Sequence, residues 1–116
     1  MKIVFTAKGK EWNSPVDPRF GRTEYFFIYD DEKNEVSIAN NADSSKEAHG
    51  AGPKTAQKLF DLNADVLITG NGPGENAATV LNQTGLKIYV GAGDMTIKDA
   101  YDAFKNDKLP LFKAKK

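Results

Sequence analysis

The chain contains no cysteine among its 116 residues. Disulfide bonds, thiolate zinc sites, a cysteine nucleophile and a metal cluster held by the chain's own thiolates are therefore excluded. It also has a single histidine, too few imidazoles for a closed metal site, because the usual zinc sites need several protein ligands. Any metal centre here must be held mainly by other forces.

Long hydrophobic runs and an excess of one charge are also missing. No apolar run approaches the length of a membrane span or of the apolar part of a signal peptide. The 16 Lys and Arg residues balance the 16 Asp and Glu residues, so no net field draws the protein to nucleic acid or an anionic membrane. We expect a cytoplasmic protein with neither as a partner.

The composition is that of an ordinary globular domain. Hydrophobic residues make up 40% of the chain and charged residues 28%, a balance that argues against disorder. At this length one core suffices. We expect a single domain over residues 1–116, with a short polar C-terminal tail at about 107–116.

Alternating apolar runs predict an α/β fold. Five β-rich runs predict strands at residues 2–7, 25–29, 35–39, 64–69 and 86–90. Three segments with helical spacing predict helices centred on Leu59, on Val80 and on Ala100. The third helix is expected to begin at Thr96, because Asp99 follows three residues later as in a capping box.

The order of these elements places four loops at one edge of the sheet. Right-handed crossovers make strands 1, 3, 4 and 5 parallel, and the hairpin makes strand 2 antiparallel to them. Nine of the ten glycines then lie in loops at the carboxyl ends of the parallel strands. Ligands bind at that edge in open α/β sheets, and glycine permits close backbone approach. We therefore expect the functional site there.

His49 lies in one of these loops, followed by Gly50 and Gly52 and then by the first predicted helix. Its imidazole is suited to metal binding or to titration near neutral pH. The alternative is a surface histidine, or one that caps a loop. As a ligand it would supply one bond to a preassembled cluster.

Gly70, Asn71, Gly72 and Gly74 lie between the fourth strand and the second predicted helix. Backbone amides and a helix start can bind an anion without any charged side chain. The stretch lacks the Lys-Ser/Thr ending of a phosphate-binding loop, so nucleotide binding is poorly supported. The alternative is a tight strand-to-helix turn in which glycine only permits the geometry.

Arg19 and Arg22 lie in the first loop on either side of Phe20. Two guanidinium groups at this spacing suit an oxyanion such as carboxylate or phosphate. Equally, they can pair with Asp17 or Glu24 and order the loop. The loop aromatics Trp12 and Phe20 either form an apolar wall at the site or anchor the loop to the core.

Four stretches of the sequence carry a resemblance to a known family. They are residues 17–22, followed by Tyr25-Phe26, and residues 49–52, 65–74 and 87–91. In order and spacing they resemble the dinitrogenase iron-molybdenum cofactor biosynthesis family, which includes NifX and the carboxyl-terminal domain of NifB. The resemblance implies a ribonuclease H-like motif with sheet order 3-2-1-4-5, strand 2 antiparallel, and three helices.

The resemblance also implies a function. Proteins of this family hold or carry preformed metal-sulfur clusters or their precursors, so it implies a non-enzymatic carrier with cluster donor and acceptor proteins as partners. Carried over to this sequence, it implies His49 as the metal ligand. Arg19, Arg22 and the 70–74 loop would surround an iron-molybdenum or other metal-sulfur cluster that is held non-covalently or weakly.

Two other classes of function compete with this one. The first is a regulator that binds a phosphorylated or carboxylated metabolite at the same glycine-rich edge. The second is a nuclease or phosphotransferase, which the ribonuclease H-like topology alone suggests. Such chemistry uses carboxylates on the central strands to hold two metal ions, and the first strand contains none, so this class is the least favoured.

Overall fold

The computed structural model of the chain describes residues 1–20, 23–41, 57–71 and 85–112. Their strands form one five-stranded sheet. In chain order the strands are β1 (Lys2–Ala7), β2 (Tyr25–Asp30), β3 (Glu35–Asn40), β4 (Val66–Ile68) and β5 (Lys87–Tyr89). All five were predicted, although β4 and β5 are shorter than the apolar runs that contain them.

The sheet has the order β3-β2-β1-β4-β5. β2 pairs antiparallel with both β1 and β3, whereas β4 pairs parallel with β1 and β5. The predicted mixed sheet, its order and the reversed direction of strand 2 are therefore confirmed. The ribonuclease H-like assignment, which the resemblance implies, stays a prediction.

Helices occur in two places within the described residues. The described part of α1 covers residues 57–61, and α2 covers Ile97–Lys105. The hydroxyl of Thr96 accepts a hydrogen bond from the Asp99 N–H, so the predicted cap of α2 is confirmed. The helix predicted around Val80 lies outside the described residues. Neither described helix is long and apolar enough to cross a membrane.

Both faces of the sheet are covered. β1 is central, and its residues Ile3, Val4, Phe5 and Ala7 are all 0% exposed. One face packs against α2 and the other against α1, so successive β1 side chains enter different clusters. The cluster on the α2 face includes Ile3, Phe5, Phe27, Ile68, Ile97 and Ala100. The cluster on the α1 face includes Val4, Phe26, Leu59, Leu67 and Ile88.

The residues that follow α2 pack against the outer edge of β5. Leu109 is buried, and the Val90 N–H donates to the Pro110 carbonyl at 3.0 Å. The Phe112 N–H donates to the Ile88 carbonyl at 2.7 Å. Part of the stretch predicted as a polar tail at about 107–116 thus pairs with β5 through its backbone, and the extent of the tail stays a prediction. These backbone hydrogen bonds cover the outer edge of β5, which pairs with no other named strand on that side within the described residues.

Tyr101 on α2 belongs to an aromatic cluster at the sheet surface. Its ring lies 5.7 Å from the Trp12 ring and 5.4 Å from the Tyr29 ring, measured between centroids. Burial in this cluster raises the pKa of Tyr101, and the nearby Tyr29, Asp31 and Asp102 raise it further.

Because of this raised pKa, we expect the free energy of unfolding to fall as the pH rises into the alkaline range. The folded state holds the phenolic proton of Tyr101 more tightly, so its contribution is complete below the unfolded pKa of about 10 and is lost as pH rises through the folded value. In urea unfolding at about pH 8 and about pH 11, Tyr101→Phe should lose less free energy of unfolding than the wild type. Equal losses in the two proteins would contradict this assignment.

Candidate functional site

The candidate site is the sheet edge formed by the carboxyl ends of β1, β3, β4 and β5. From β1 the chain continues to β2 and β3 on one side, whereas β4 and β5 lie on the other. The topological switch point is therefore between β1 and β4, where ligands bind in open α/β sheets. Residues 8–24, termed here the first loop, leave β1 at this point.

A buried chain of hydrogen bonds joins β1, β4 and the first loop at the switch point. The Thr6 hydroxyl donates to the Asp17 carbonyl at 2.6 Å and lies 2.8 Å from the Thr69 hydroxyl. One hydroxyl has one proton, so Thr69 is the donor in the second contact. The Asp17 N–H also donates to the Thr6 carbonyl at 2.8 Å. All three residues are fully buried, so this junction is a rigid part of the edge.

Pro18 lies directly on the glycines that follow β4 and β5. A Cβ added to Gly70 would come within 2.5 Å of the Pro18 Cα, and one added to Gly93 within 3.3 Å of the Pro18 Cβ. The Asn71 N–H donates to the Pro18 carbonyl at 2.9 Å. Three of the four loops thus meet in backbone contact, which only residues without a side chain permit at this distance.

The first loop crosses the edge from one face of the sheet to the other. Val16 belongs to the core cluster on the α2 face, whereas Phe20 belongs to the cluster on the α1 face together with Leu59. The crossing segment between them contacts the ends of β1 and β4, where Asp17 meets Thr6 and Pro18 meets Gly70.

The N-terminus of α2 is used by the same loop. The Ile97 N–H donates to the Ser14 carbonyl and the Lys98 N–H to the Trp12 carbonyl, each at 2.9 Å. These are N–H groups that a helix start leaves free. Trp12 also packs against Phe27, with ring centroids 4.9 Å apart. Trp12 and Phe20 therefore anchor the loop to the core, and α2 has no free N–H groups of this kind to offer an anion.

Asp17 and Arg19 form an ion pair at the crossing segment. The Asp17 carboxylate is 0% exposed, and its Oδ1 accepts from both the backbone N–H and the Nε of Arg19. Its Oδ2 accepts from Arg19 Nη2 at 3.1 Å. This hydrogen-bonded partner raises the pKa of Arg19, as does the charge of Glu24. The Arg19 side chain is nevertheless 55% exposed, so one edge of the guanidinium faces solvent.

The loop that follows β3 begins at Asn41, which is fully buried. Its Nδ2 donates to the Thr23 carbonyl at 2.9 Å, and its Oδ1 accepts from Lys58 Nζ at 3.0 Å. Asn41 therefore ties the loop after β3 to the first loop and to α1. With this link, all four loop starts are connected along the edge.

The comparisons with known proteins agree with this architecture. The family model described as "Dinitrogenase iron-molybdenum cofactor" matches residues 1–107. The chain belongs to this family. The resemblance inferred from the sequence is thereby confirmed.

Three relatives of the chain illustrate the match. An uncharacterized protein of Methanocaldococcus jannaschii is 30% identical over 104 residues, covering 86% of this chain and 85% of that protein. The apo form of the orange protein from Desulfovibrio gigas superposes with a TM-score of 0.91 at 32% identity, over 97% of this chain and 93% of that one. A putative NifB protein from Thermotoga gives a TM-score of 0.81 at 36% identity, over 99% and 98%.

Three of the site residues predicted from the sequence are described. Arg19, Gly70 and Asn71 lie close together at the edge, joined through Pro18. Six others lie outside the described residues: Arg22, His49, Gly50, Gly52, Gly72 and Gly74. Within the described ranges, no group of three or more His, Cys, Asp or Glu side chains is placed to hold a metal ion.

Sequence reasoning missed the parts of the edge that hold it together. Thr6 and Thr69 carried a signal, because each is a polar residue at the end of one of two adjacent apolar strands. Asn41 carried none beyond its position directly after β3. The sequence indicates Asp17 only as a possible partner of the arginines and does not predict its complete burial.

A shallow cavity of about 620 Å³ lies at the opposite edge of the sheet. Its lining includes Met1, Lys2, Asp30, Asp65 and Lys87, which carry charges of both signs. The cavity is at the amino ends of the parallel strands and contains none of the described residues predicted for the site. The carboxyl edge therefore remains the better candidate.

We expect Gly70→Ala to destabilise the protein by about 1–3 kcal/mol, because the new methyl group must displace the Pro18 backbone. Gly93→Ala is the matched control. Its methyl group would lie 3.3 Å from the Pro18 Cβ and no closer than 3.6 Å to a backbone atom, so this change should cost less. Urea unfolding of both variants measures the difference. A Gly70→Ala protein as stable as the wild type would refute the described contact.

Proposed function

We propose that this protein is a non-enzymatic binding or carrier protein for an anionic metal-sulfur cluster. The cargo is an iron-molybdenum cofactor precursor or a related molybdenum or iron sulfide cluster. Membership of the dinitrogenase iron-molybdenum cofactor family carries the proposal, together with the meeting of three loops at the carboxyl edge of the sheet. Proteins that donate and accept the cluster would be its partners, in the cytoplasm.

The chemistry available at this edge fits such a cargo. A sulfide cluster is polyanionic, and the chain has no cysteine to bind it through thiolates. Guanidinium and backbone N–H groups stabilise anions without covalent bonds. Arg19 is half exposed, and it directly follows Pro18, which packs against the glycine after β4. Weak, reversible holding of this kind suits a carrier, which must also release its cargo.

The remaining residues of the proposed site come from the loops after β3 and β4 and from the end of the first loop. His49 is proposed as the single metal ligand. The residues proposed to surround the cluster with it are Arg19, Arg22, Gly50, Gly52, Gly70, Asn71, Gly72 and Gly74. An imidazole supplies one directional bond, while the other groups supply charge and hydrogen bonds.

The relatives support the cluster hypothesis more than its competitor. One solved neighbour is described as an apo form and another as a putative NifB protein, at 32% and 36% identity. An apo form is a protein without its bound partner. The alternative, a regulator that binds a phosphate or carboxylate metabolite at the same edge, is not favoured by any of these comparisons.

We expect the purified protein to bind tetrathiomolybdate under strict anaerobiosis, followed by its visible absorption after gel filtration. His49→Ala should weaken this binding by about tenfold or more, because the directional bond to the metal is lost. Synthetic iron-sulfur species tested in parallel would show which class of cluster is preferred.

Lys33→Gln and Arg19→Gln form a matched pair for the same titration. Each removes one positive charge, but Lys33 lies in the β2–β3 turn at the opposite edge of the sheet. Arg19→Gln should weaken binding, whereas Lys33→Gln should leave it unchanged. A wild-type protein that stays colourless with every cluster tested, yet is stabilised by phosphate regardless of His49, would favour the metabolite-binding alternative.

A further inference from the structure

The feature that the proposed function leaves unexplained is the Asp17 carboxylate. A carboxylate placed beside an anion site opposes anion binding by its charge. Asp17 is nevertheless fully buried there and directs both of its oxygens to Arg19. Burying a carboxylate is costly unless it is paired and hydrogen-bonded, as it is in this contact.

The contact fixes the guanidinium in one orientation. Asp17 Oδ1 bonds Arg19 Nε at 3.1 Å, and Oδ2 bonds Nη2 at 3.1 Å, so one edge of the planar fork is held at two points. A guanidinium has five N–H donors, and this contact uses two of them. Within the part of the chain that the structure describes, no other group accepts a hydrogen bond from the Arg19 side chain. The remaining donors belong to a side chain that is 55% exposed.

The carboxylate is itself held in place from the core side. The Asp17 carbonyl accepts from the Thr6 hydroxyl, and its N–H donates to the Thr6 carbonyl. Pro18, the next residue, is packed against Gly70. Asp17 therefore holds Arg19 in a fixed position relative to the buried ends of β1 and β4.

We propose that Asp17 is a positioning residue, which holds the Arg19 guanidinium in place so that its exposed edge can bind an anionic sulfide cluster. This inference rests on the proposed function. An arginine that is fixed before the ligand arrives loses less side-chain entropy on binding than a free one. The gain from this preorganisation outweighs the repulsion of a carboxylate already neutralised by its partner.

Asp17→Asn separates this proposal from a purely electrostatic account. The asparagine keeps the shape and can still accept the Arg19 backbone N–H through Oδ1, but it loses the ion pair. The site then gains one unit of positive charge, so electrostatics alone predicts tighter binding of tetrathiomolybdate. We expect the opposite, a Kd that rises by about three- to tenfold, the range that ordering one long side chain spans.

The same substitution in an Arg19→Lys background provides the control. Lysine keeps the charge but has no fork for a carboxylate to orient. In the Arg19→Lys protein, Asp17→Asn should leave the binding of tetrathiomolybdate unchanged or strengthen it, because only the repulsive charge is removed. The single variant Arg19→Lys should by itself weaken binding, and this measurement decides the question if Asp17→Asn does not fold. Near-ultraviolet circular dichroism of Trp12, which packs into the core, checks the fold.

A second readout is independent of any ligand. In the wild type the Nε–H of Arg19 should give an NMR signal with the relaxation of the rigid backbone, and in Asp17→Asn this signal should become mobile. If wild-type protein does not bind tetrathiomolybdate, the proposed function fails. If it binds, but Asp17→Asn binds equally or more tightly, or leaves the Arg19 signal rigid, the positioning role alone is refuted.

Discussion

The buried junction of Thr6, Asp17 and Thr69 is the constraint on which the rest of the carboxyl edge depends. It joins the two strands on either side of the topological switch point and attaches the first loop to both. Since all three residues are removed from water, each hydrogen bond lost there would leave an unsatisfied buried group. This junction fixes the path of the loop across the sheet edge. It thereby sets the packing of Pro18 against Gly70 and the position of Arg19.

Much of the fold could be predicted because its signals are local. β1 contains an unbroken run of apolar and β-branched residues, and the chain order with right-handed crossovers restricts the strand directions. The cap of α2 could be predicted from Thr96 and Asp99 alone.

The packing of residues 109–112 on β5 could not be predicted, because a short segment next to a lysine-rich end gives no periodic signal. Its partner is 20 or so residues away, beyond the reach of local patterns.

The site was only partly predictable for a similar reason. Sequence placed Arg19, Gly70 and Asn71 at one edge, and the structure brings them together there. It left open whether Arg19 binds a ligand or pairs with Asp17. The structure shows the pair and, at the same time, a guanidinium edge that remains exposed. The two alternatives are therefore compatible, which a linear sequence does not reveal. The clustered glycines can likewise serve either ligand binding or packing, since Gly70 permits the contact between two loops.

The absence of cysteine limits how the proposed metal-sulfur cargo could be held by this chain. Without thiolates, affinity would come from charge, amide hydrogen bonds, shape and the one bond proposed for His49, all of which are reversible. Such a site needs groups that are already in position, because each flexible side chain ordered on binding reduces affinity. A sheet edge braced by buried hydrogen bonds meets that need better than a set of free loops.

Amide NMR with tetrathiomolybdate under anaerobic conditions tests the central claim most directly. The account predicts that the signals of Arg19, Gly70 and Asn71, together with the imidazole of His49, shift in a saturable manner. Those of the β2–β3 turn should stay fixed. Shifts confined to the opposite edge, around Lys2 and Asp65, would contradict it, and so would a spectrum that does not change.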